Sequence, residues 1–358
     1  MNYIKKYLLF VLFLATTASK AQTTTYKNIV KEFPANYVKD GSIDYTNLLQ
    51  AMINKYDTIL MPNFPILIND KGLTIPSNKL IRFQDKSKLV LKPTNKSNYA
   101  ILVLENVKNV KLHNVTIEGD RYKHMSNLGE WGMGIQIKGG SNISIVNANI
   151  TKCWGDGIYI TKGTNIPSSI LISNSIIADN RRNGISVING DDILIQSSVI
   201  KNINDVLPMA AVDIEPNSSS DYIGKIVIDD LSTENCNISI QLGLSKYPSK
   251  TKRDVNILVR NVQSYNDNHG ILYGDFYRES HYGKQIKPLG GNVMFENITI
   301  KNAKKEPIKY YSQNGYAYSP PVQFKDIQII GGSVNKSIYD KDFRLRGFKQ
   351  QNINIISN

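Results

Sequence analysis

The chain has 358 residues, 24 of them glycine, and a formal net charge of +13 at pH 7. No Pro-, Gly- or Ser-rich linker and no shift in composition divides it, which argues against two globular domains and for one elongated domain. Its length exceeds the usual size of a single hydrophobic core. A solenoid escapes that limit because each turn buries its own slice of core against its neighbours.

The first 21 residues predict a cleaved secretory signal. Lys5 and Lys6 precede an apolar run over residues 7–18, and Ser19-Lys20-Ala21 places small residues before a cleavage position. The apolar run is short for a bilayer span, so we expect no membrane span after cleavage and a secreted or periplasmic protein made of residues 22–358. Loss of three lysines lowers the formal charge from +13 to +10.

This basic charge favours an anionic partner. An acidic polysaccharide, a lipopolysaccharide and nucleic acid all fit such a field, unless the lysines only solvate the surface. The predicted export and the lack of any recognised nucleic-acid-binding motif in the sequence argue against nucleic acid. An acidic polysaccharide is therefore the predicted partner.

A short helix is predicted after the signal. Asp44 can cap a helix that runs through Lys55, because apolar residues recur there at helical spacing. A solenoid must cover the open end of its core, so we expect this helix to lie across the first turn. Short apolar strands at 58–62, 72–75, 80–83 and 89–91 supply that turn, which makes residues 37–95 the predicted N-terminal cap and first turn.

A repeated phrase dominates the rest of the chain. Gly-Ile-x-Ile occurs at 134–137 and 157–160 and recurs in altered form at 184–187 and 211–214, a period of 23 to 27 residues. A second alternating strand and a third short apolar piece follow each copy. Three parallel strands per turn at this period predict an all-β, right-handed parallel β-helix as a single domain. Its coils are predicted over 96–345, with a C-terminal end at 346–358.

The two cysteines are predicted to be free. Cys153 and Cys236 fall three turns apart, which corresponds to roughly 14 Å at about 4.8 Å per turn and exceeds the reach of a disulfide. We expect both to be buried in the core.

The N-terminal segment resembles that of the pectate-lyase-like right-handed β-helices. Asp44-Tyr45-Thr46, Met61-Pro62 and Gly72-Leu73-Thr74-Ile75 carry the resemblance, which extends over about residues 37–345. It implies the pectin-lyase-like fold. It does not select a reaction, because this scaffold hosts polysaccharide lyases, glycoside hydrolases, uronan epimerases and phage tailspikes.

Functional side chains are expected where the chain leaves the core. The isoleucines of each Gly-Ile-x-Ile strand point inward, so position x and the residue two later point outward from one flat sheet. Stacked turns convert these positions into two columns along which a chain-like ligand can lie. The first column is predicted to contain Gln136, Tyr159, Ser186, Asp213 and Ser239, and the second Lys138, Thr161, Ile188, Glu215 and Gln241.

The predicted catalytic residues are Asp213, Glu215 and Asp156. Asp213 and Glu215 share an outward face with Cα atoms about 6.5 to 7 Å apart, a separation that suits the acid and base of a glycoside hydrolase. The same pair with Asn217 can instead bind a divalent cation such as Ca²⁺, or Glu215 only ends the strand at a turn. Asp156, just before its Gly-Ile strand, is either a third acid or a turn former.

Residues near these strands are predicted to bind the substrate. Arg181 and Arg182 can hold a carboxylate or sulfate bidentately, or they only pair with Asp156 or Asp179. The later turns carry a long aromatic-rich loop of the kind that stacks on sugar rings. The predicted binding set is Tyr159, Arg181, Arg182, Asn217, Gln241, His269, Tyr273 and Asp275.

Motifs of individual β-helix enzymes are incomplete here. Gly155-Asp156-Gly157 can match the first acid of a polygalacturonase-like hydrolase, but Arg182-Asn183 stands where its acid pair is expected. Asn268-His269-Gly270 looks like the histidine motif of those enzymes but lies too many turns away. The chain has no Asp-Pro-His of the alginate epimerases, and Arg181 or Arg182 with Asp156 only loosely resembles a pectate-lyase base and calcium cluster.

The sequence therefore predicts a monomeric β-helix protein that cleaves an acidic polysaccharide. In a hydrolase Asp213 and Glu215 would act as acid and base, whereas in a lyase an arginine or His269 would remove the proton beside a neutralised uronate carboxylate. The alternatives are a uronan epimerase and a non-catalytic glycan-binding or cell-envelope protein. Apart from the alternative Ca²⁺ site, no cofactor is predicted.

Overall fold

The computed structural model describes residues 25–274, 286–311, 319–331 and 348–356. A 3₁₀ turn spans Ile29–Glu32 and helix α1 spans Thr46–Lys55. The strands are, in chain order, β1 Lys27–Asn28, β2 Thr58–Leu60, β3 Pro65–Ile68, β4 Leu73–Thr74, β5 Leu80–Arg82, β6 Lys88–Leu91, β7 Asn98–Glu105, β8 Lys108–His113, β9 Thr116–Glu118, β10 Trp131–Lys138, β11 Ser141–Val146, β12 Asn149–Thr151, β13 Ile158–Thr161, β14 Ser168–Ser173, β15 Ile176–Ala178, β16 Ile185–Val187, β17 Asp191–Lys201, β18 Ala210–Ile214, β19 Lys225–Glu234, β20 Ile238–Gly243, β21 Asp254–Tyr265, β22 His269–Gly274, β23 Gly290–Lys301, β24 Ile308–Tyr311, β25 Val322–Ile330 and β26 Lys349–Ile356.

These strands coil into a parallel β-helix, which confirms the predicted fold class. One sheet, here called the front sheet, stacks β4, β7, β10, β13, β16, β18, β20, β22 and β24 in parallel. The second and third strands of each turn are separate up to β15. From β17 onward they fuse into long strands that bend at a left-handed residue, such as Asn261 (φ 56°) within β21. Asn tolerates that conformation better than most residues.

Inward isoleucines build the core of the helix. Ile135, Ile158, Ile185, Val212 and Ile240 align from turn to turn in the front sheet and are all buried. Full burial of each such side chain contributes about 1.5–3 kcal/mol. The in-out alternation of the repeat thus produces a continuous apolar column along the helix axis.

The glycine of each phrase has a steric reason. At Gly157 an added Cβ would lie 2.6 Å from Ile177 Cγ2 and 2.8 Å from the carbonyl oxygen of Gly184. These distances leave no room for a side chain at this corner of the coil. The strand can therefore turn tightly inward only with glycine here.

Helix α1 begins and ends close to its predicted bounds. The carboxylate of Asp44 accepts a hydrogen bond from the backbone N–H of Thr46 at 2.9 Å. Leu49, Met52 and Ile53 are buried in the same apolar core as the first turns. No helix in the described ranges is long and apolar enough to cross a membrane. Both cysteines are buried and unpaired, as predicted.

The predicted outward column is correct over four turns and wrong at the fifth. Gln136, Tyr159, Ser186 and Asp213 align, but the next residue in register is Gln241 and not Ser239. The segment Ile238-Ser239-Ile240-Gln241-Leu242 alternates throughout, so a shift of two residues preserves which side chains face the core. Alternation alone therefore cannot choose between the two registers.

Candidate functional site

The two predicted acids, Asp213 and Glu215, are not both accessible from one groove. Asp213 is only 1% exposed, whereas Glu215, just past the end of β18, is half-buried. The two carboxylate oxygens of Asp213 accept hydrogen bonds from Asn183 Nδ2 at 3.1 Å and from Gln241 Nε2 at 3.0 Å. Burial, followed by the charge of Glu215, raises the pKa of Asp213 well above its ordinary value. The expectation that both acids face solvent is thus corrected for Asp213.

Asp156 is also sealed, so its predicted position at an open site is corrected too. Its carboxylate accepts hydrogen bonds from Arg182 Nη1 at 3.1 Å, from the backbone N–H of Asn183 at 3.1 Å and from Ser186 Oγ at 2.7 Å. Burial raises the pKa of Asp156, while the charge of Arg182 opposes that shift. This carboxylate anchors its neighbours.

Neither predicted arginine is available for bidentate binding of an anion. Arg181 Nε donates to Asp205 at 3.1 Å and Nη1 to the carbonyl oxygen of Gly129 at 2.8 Å, and its guanidinium lies 3.7 Å from the ring centre of Trp154. Arg182 is bound to Asp156. Of the two predicted alternatives for Arg182, the structure has the pairing with Asp156.

An open pocket of about 610 Å³ lies on the C-terminal side of Asp213. It crosses the front sheet over β20 and β22, and its size falls within the range of small-ligand sites. Its polar lining includes Glu215, Gln241, Asn268, His269, Lys305 and Lys309. Three of the predicted site residues, Glu215, Gln241 and His269, therefore meet here.

His269 is held in one tautomer. Its Nδ1 lies 2.7 Å from the carbonyl oxygen of Glu306, and because a carbonyl only accepts, Nδ1 carries the proton. Nε2 then keeps its lone pair, and no residue in the described part of the chain hydrogen-bonds it. Burial lowers the pKa of His269 and favours the neutral ring. His269 is among the residues that line the pocket, although it is only 3% exposed.

Two lysines at the pocket were missed by sequence reasoning. Lys305 is exposed, and Lys309 is half-buried in β24. The strand pairing places Lys309 beside Leu272, so it continues the outward column that includes Gln241. Lys309 stands between Ile308 and Tyr310, at the position that points outward in each front strand. The sequence did not reveal this, because the turn lacks the Gly-Ile phrase that marks the earlier front strands.

Three of the remaining predicted binding residues, Tyr159, Tyr273 and Asn217, are not among those that line the pocket. Tyr159 is half-buried on the outward column, where burial raises its pKa. Tyr273 faces the core, and its ring lies edge-to-face against Phe348 at 5.8 Å. The prediction that Tyr273 binds substrate at the surface is therefore wrong. Asn217 is exposed in a turn, where its N–H donates to Asp221. Asp275 lies outside the described residues.

The alternative Ca²⁺ site does not fit these side chains. Asp213 is only 1% exposed, and each of its oxygens already accepts a hydrogen bond from an amide N–H, which leaves no open side for a cation and its other oxygen ligands. Asn217 belongs to the turn around Asp221 and does not share a pocket with Asp213. In the four described ranges, no cluster of three His, Cys, Asp or Glu residues could hold a metal ion.

A family profile described as "Right handed beta helix region" matches residues 100–319. Two curated Bacillus subtilis (strain 168) proteins are similar in sequence. The SPbeta prophage-derived uncharacterized protein YorA is 26% identical over 162 residues, 40% of this chain and 28% of that protein. The uncharacterized protein YclG is 24% identical over 210 residues, 49% of this chain and 36% of that protein. The chain thus spans about a third of the length of these relatives.

Three solved structures share the fold. A polygalacturonase from Erwinia carotovora ssp. carotovora has a TM-score of 0.60 at 14% identity, with 89% of this chain and 93% of that chain covered. The A-module of the Azotobacter vinelandii mannuronan C-5 epimerase AlgE6 has a TM-score of 0.59 at 14% identity, with 93% of this chain and 96% of that chain covered. The endo-xylogalacturonan hydrolase of Aspergillus tubingensis has a TM-score of 0.58 at 15% identity, with 89% of this chain and 91% of that chain covered. At these identities the likeness concerns the fold alone.

Proposed function

Because the chain belongs to the right-handed β-helix family, a scaffold that hosts many reactions, we propose its function from the pocket chemistry. The protein binds an acidic polysaccharide in the pocket over β20 and β22 and cleaves it by β-elimination. One observation carries this proposal: His269, whose Nε2 keeps its lone pair, lines one cavity together with Lys305 and Lys309.

β-Elimination at a uronate needs a neutralised carboxylate and a nearby base. Lys305 would neutralise the carboxylate, with Lys309 beside it at 4.0 Å from Oε2 of Glu306. Neutralisation makes the adjacent C–H more acidic. Neutral His269 would take that proton, and the electron pair of the C–H bond would form the new carbon–carbon double bond. The neighbouring glycosidic C–O bond then breaks, and its oxygen takes a proton from water. Glu215 and Gln241 would hydrogen-bond sugar hydroxyls beside the reacting ring.

Hydrolysis is the second candidate, and the raised pKa of Asp213 favours it. A carboxyl group whose pKa is raised, beside an accessible Glu215, is the combination that acid–base glycoside hydrolysis uses. The hydrogen bonds from Asn183 and Gln241 keep Asp213 away from the pocket. Hydrolysis therefore requires movement of Gln241, which elimination at His269 does not.

The names of two structural neighbours, polygalacturonase and mannuronan C-5 epimerase, make uronate polymers the first substrates to test. We further propose that the protein acts as a monomer outside the cytoplasm, after removal of residues 1–21. The N-terminal sequence of the exported protein tests this cleavage, and its mass in solution tests the monomer.

Incubation with polygalacturonate, alginate and a neutral glucan tests the function. We expect new reducing ends together with ultraviolet absorbance from unsaturated uronates for at least one acidic polymer, and neither signal for the glucan. Reducing ends without absorbance would replace elimination by hydrolysis. Tight binding of a uronate polymer without either signal would leave a glycan-binding protein and overturn cleavage.

A further inference from the structure

The pocket is closed on its N-terminal side. Ser186 and Asp213 leave the outer face of the front sheet on the same column as Gln241, yet Ser186 is 0% exposed and Asp213 is 1% exposed. Gln241, one turn further on, lines the open pocket. The pocket lining therefore includes Gln241, which is itself 8% exposed, and ends before Asp213, within a single turn of the helix or about 4.8 Å.

Arg182 is held beside this part of the floor, because Asp156 accepts hydrogen bonds from both Arg182 and Ser186. Its Nη1 binds the carboxylate of Asp156 at 3.1 Å, and its Nε lies 3.7 Å from Oε2 of Glu130. The charges of Asp156, Asp213 and Glu130 all raise the pKa of Arg182 against the effect of burial. Asp156 and Glu130, which belong to different segments, thus hold one guanidinium group, and the charge of Asp213 also acts on it.

A loop linked to the arginine segment borders the pocket. Leu207, Pro208 and Met209 line the pocket on this side. The loop rests on the arginine segment through the hydrogen bond from Val206 N–H to the carbonyl oxygen of Arg181, at 3.0 Å. Such a hydrogen bond between segments fixes the loop as a wall of the pocket.

Arg121 braces the same loop from a distant turn. Its Nη2 donates to the carbonyl oxygen of Asn204 at 2.7 Å and to Asn204 Oδ1 at 2.6 Å, and its Nη1 donates to the carbonyl oxygen of Asp179 at 2.7 Å. One guanidinium group therefore ties together three segments of the chain. A wall held in this way does not need a ligand to order it.

We infer that the pocket receives the end of an acidic polysaccharide chain and not its interior. A polymer that lies along the front sheet cannot continue past Arg182 and Leu207, so its terminal sugar stops against the wall. The lysines then meet the carboxylates of the first sugars. This inference rests on the proposed function, because it assumes that the ligand is a polysaccharide bound in this pocket.

Binding stoichiometry tests chain-end recognition without requiring turnover. Polygalacturonate and alginate are each separated into a short and a much longer fraction. Each fraction is titrated with the full-length protein by calorimetry, at a low temperature that slows turnover. We expect one protein bound per polymer chain at both lengths, because each chain has one end of the recognised kind. Early products of digestion should likewise be one short species, while the mean mass of the remaining polymer barely falls.

Two results would overturn the inference in distinguishable ways. Stoichiometry that rises in proportion to chain length, or a rapid early fall in polymer mass, would show binding along the interior and leave the proposed function standing. Absence of binding to every uronate polymer at both lengths would remove the proposed function and the inference together.

Discussion

A side chain that points away from the core reaches a ligand only where no other segment covers it. Asp213 and Glu215 both point outward near the end of β18. Asp213 is buried and hydrogen-bonded by Asn183 and Gln241, whereas Glu215 lines the pocket. Burial then changes the chemistry as well as the access, because the pKa of Asp213 rises and its charged form is disfavoured.

His269→Gln should abolish turnover while leaving polymer binding intact. Glutamine can still donate to the carbonyl oxygen of Glu306, but it cannot take a proton at neutral pH. Loss of a general base costs about 10²–10⁴-fold in rate. The rate of unsaturated-uronate formation and the dissociation constant for the polymer measure the two effects.

His113→Gln is the matched control. His113 is half-buried at the end of β8, outside the front sheet, and burial also lowers its pKa. Unchanged turnover in His113→Gln with a large loss in His269→Gln supports the base assignment. Equal rates for His269→Gln and the unaltered protein would exclude His269 as the base.

Asp213→Asn should make stability less sensitive to pH. The raised pKa means that the folded protein binds a proton at Asp213 that the unfolded chain releases, so this stability is present below about pH 4 and is lost as the pH rises through the folded pKa. The slope is at most about 1.4 kcal/mol per pH unit for one group. Melting temperatures of both proteins from acidic to neutral pH measure it. Parallel curves would contradict a raised pKa.

At the scale of a single strand, the repeated phrase meets two requirements of the coil at once, a filled core and a tight corner. Isoleucine fills the core and glycine permits the corner that precedes it, so each front strand repeats the geometry of the last. The aromatic at Tyr273 follows the same rule. Gly270-Ile271-Leu272-Tyr273 fits the phrase, with tyrosine at the second inward position, and its core location was readable from that pattern.

Gly157→Ala should destabilise the fold by about 1–3 kcal/mol, the usual cost of overpacking. The new methyl group would meet Ile177 Cγ2 and the backbone oxygen of Gly184, and the backbone cannot move without disturbing the next turn. Gly243→Ala is the control, because its Cβ would meet only the flexible side chain of Glu215, at 3.3 Å. Urea unfolding measures both. Equal midpoints would remove the steric account of the corner glycine.

Over the whole molecule, the formal charge, which is +13 or +10 without residues 1–21, attracts an acidic polymer in addition to the lysines at the pocket. Added salt should weaken binding of polygalacturonate and leave a neutral glucan unaffected, since mobile ions screen long-range attraction. Affinity measured over a series of salt concentrations tests this. Salt-independent affinity for the acidic polymer would contradict an electrostatic contribution.

Lys305→Gln and Lys108→Gln separate the local effect from the general one. Both remove one exposed positive charge, but only Lys305 lies at the pocket. We expect Lys305→Gln to weaken binding several-fold more than Lys108→Gln, because its charge lies next to the bound carboxylate. Equal losses would assign the attraction to the net charge alone.

The sequence by itself determined the β-helix, the cap helix, the corner glycines and the inward and outward sides of most strands. These follow from alternation and spacing, which each strand carries locally. The tertiary structure decided the register of Gln241, the sealing of Asp156 and Asp213, and the meeting of His269 with Lys305 and Lys309. Whether an outward residue meets solvent depends on loops from other turns, and no local pattern records where those loops come to rest.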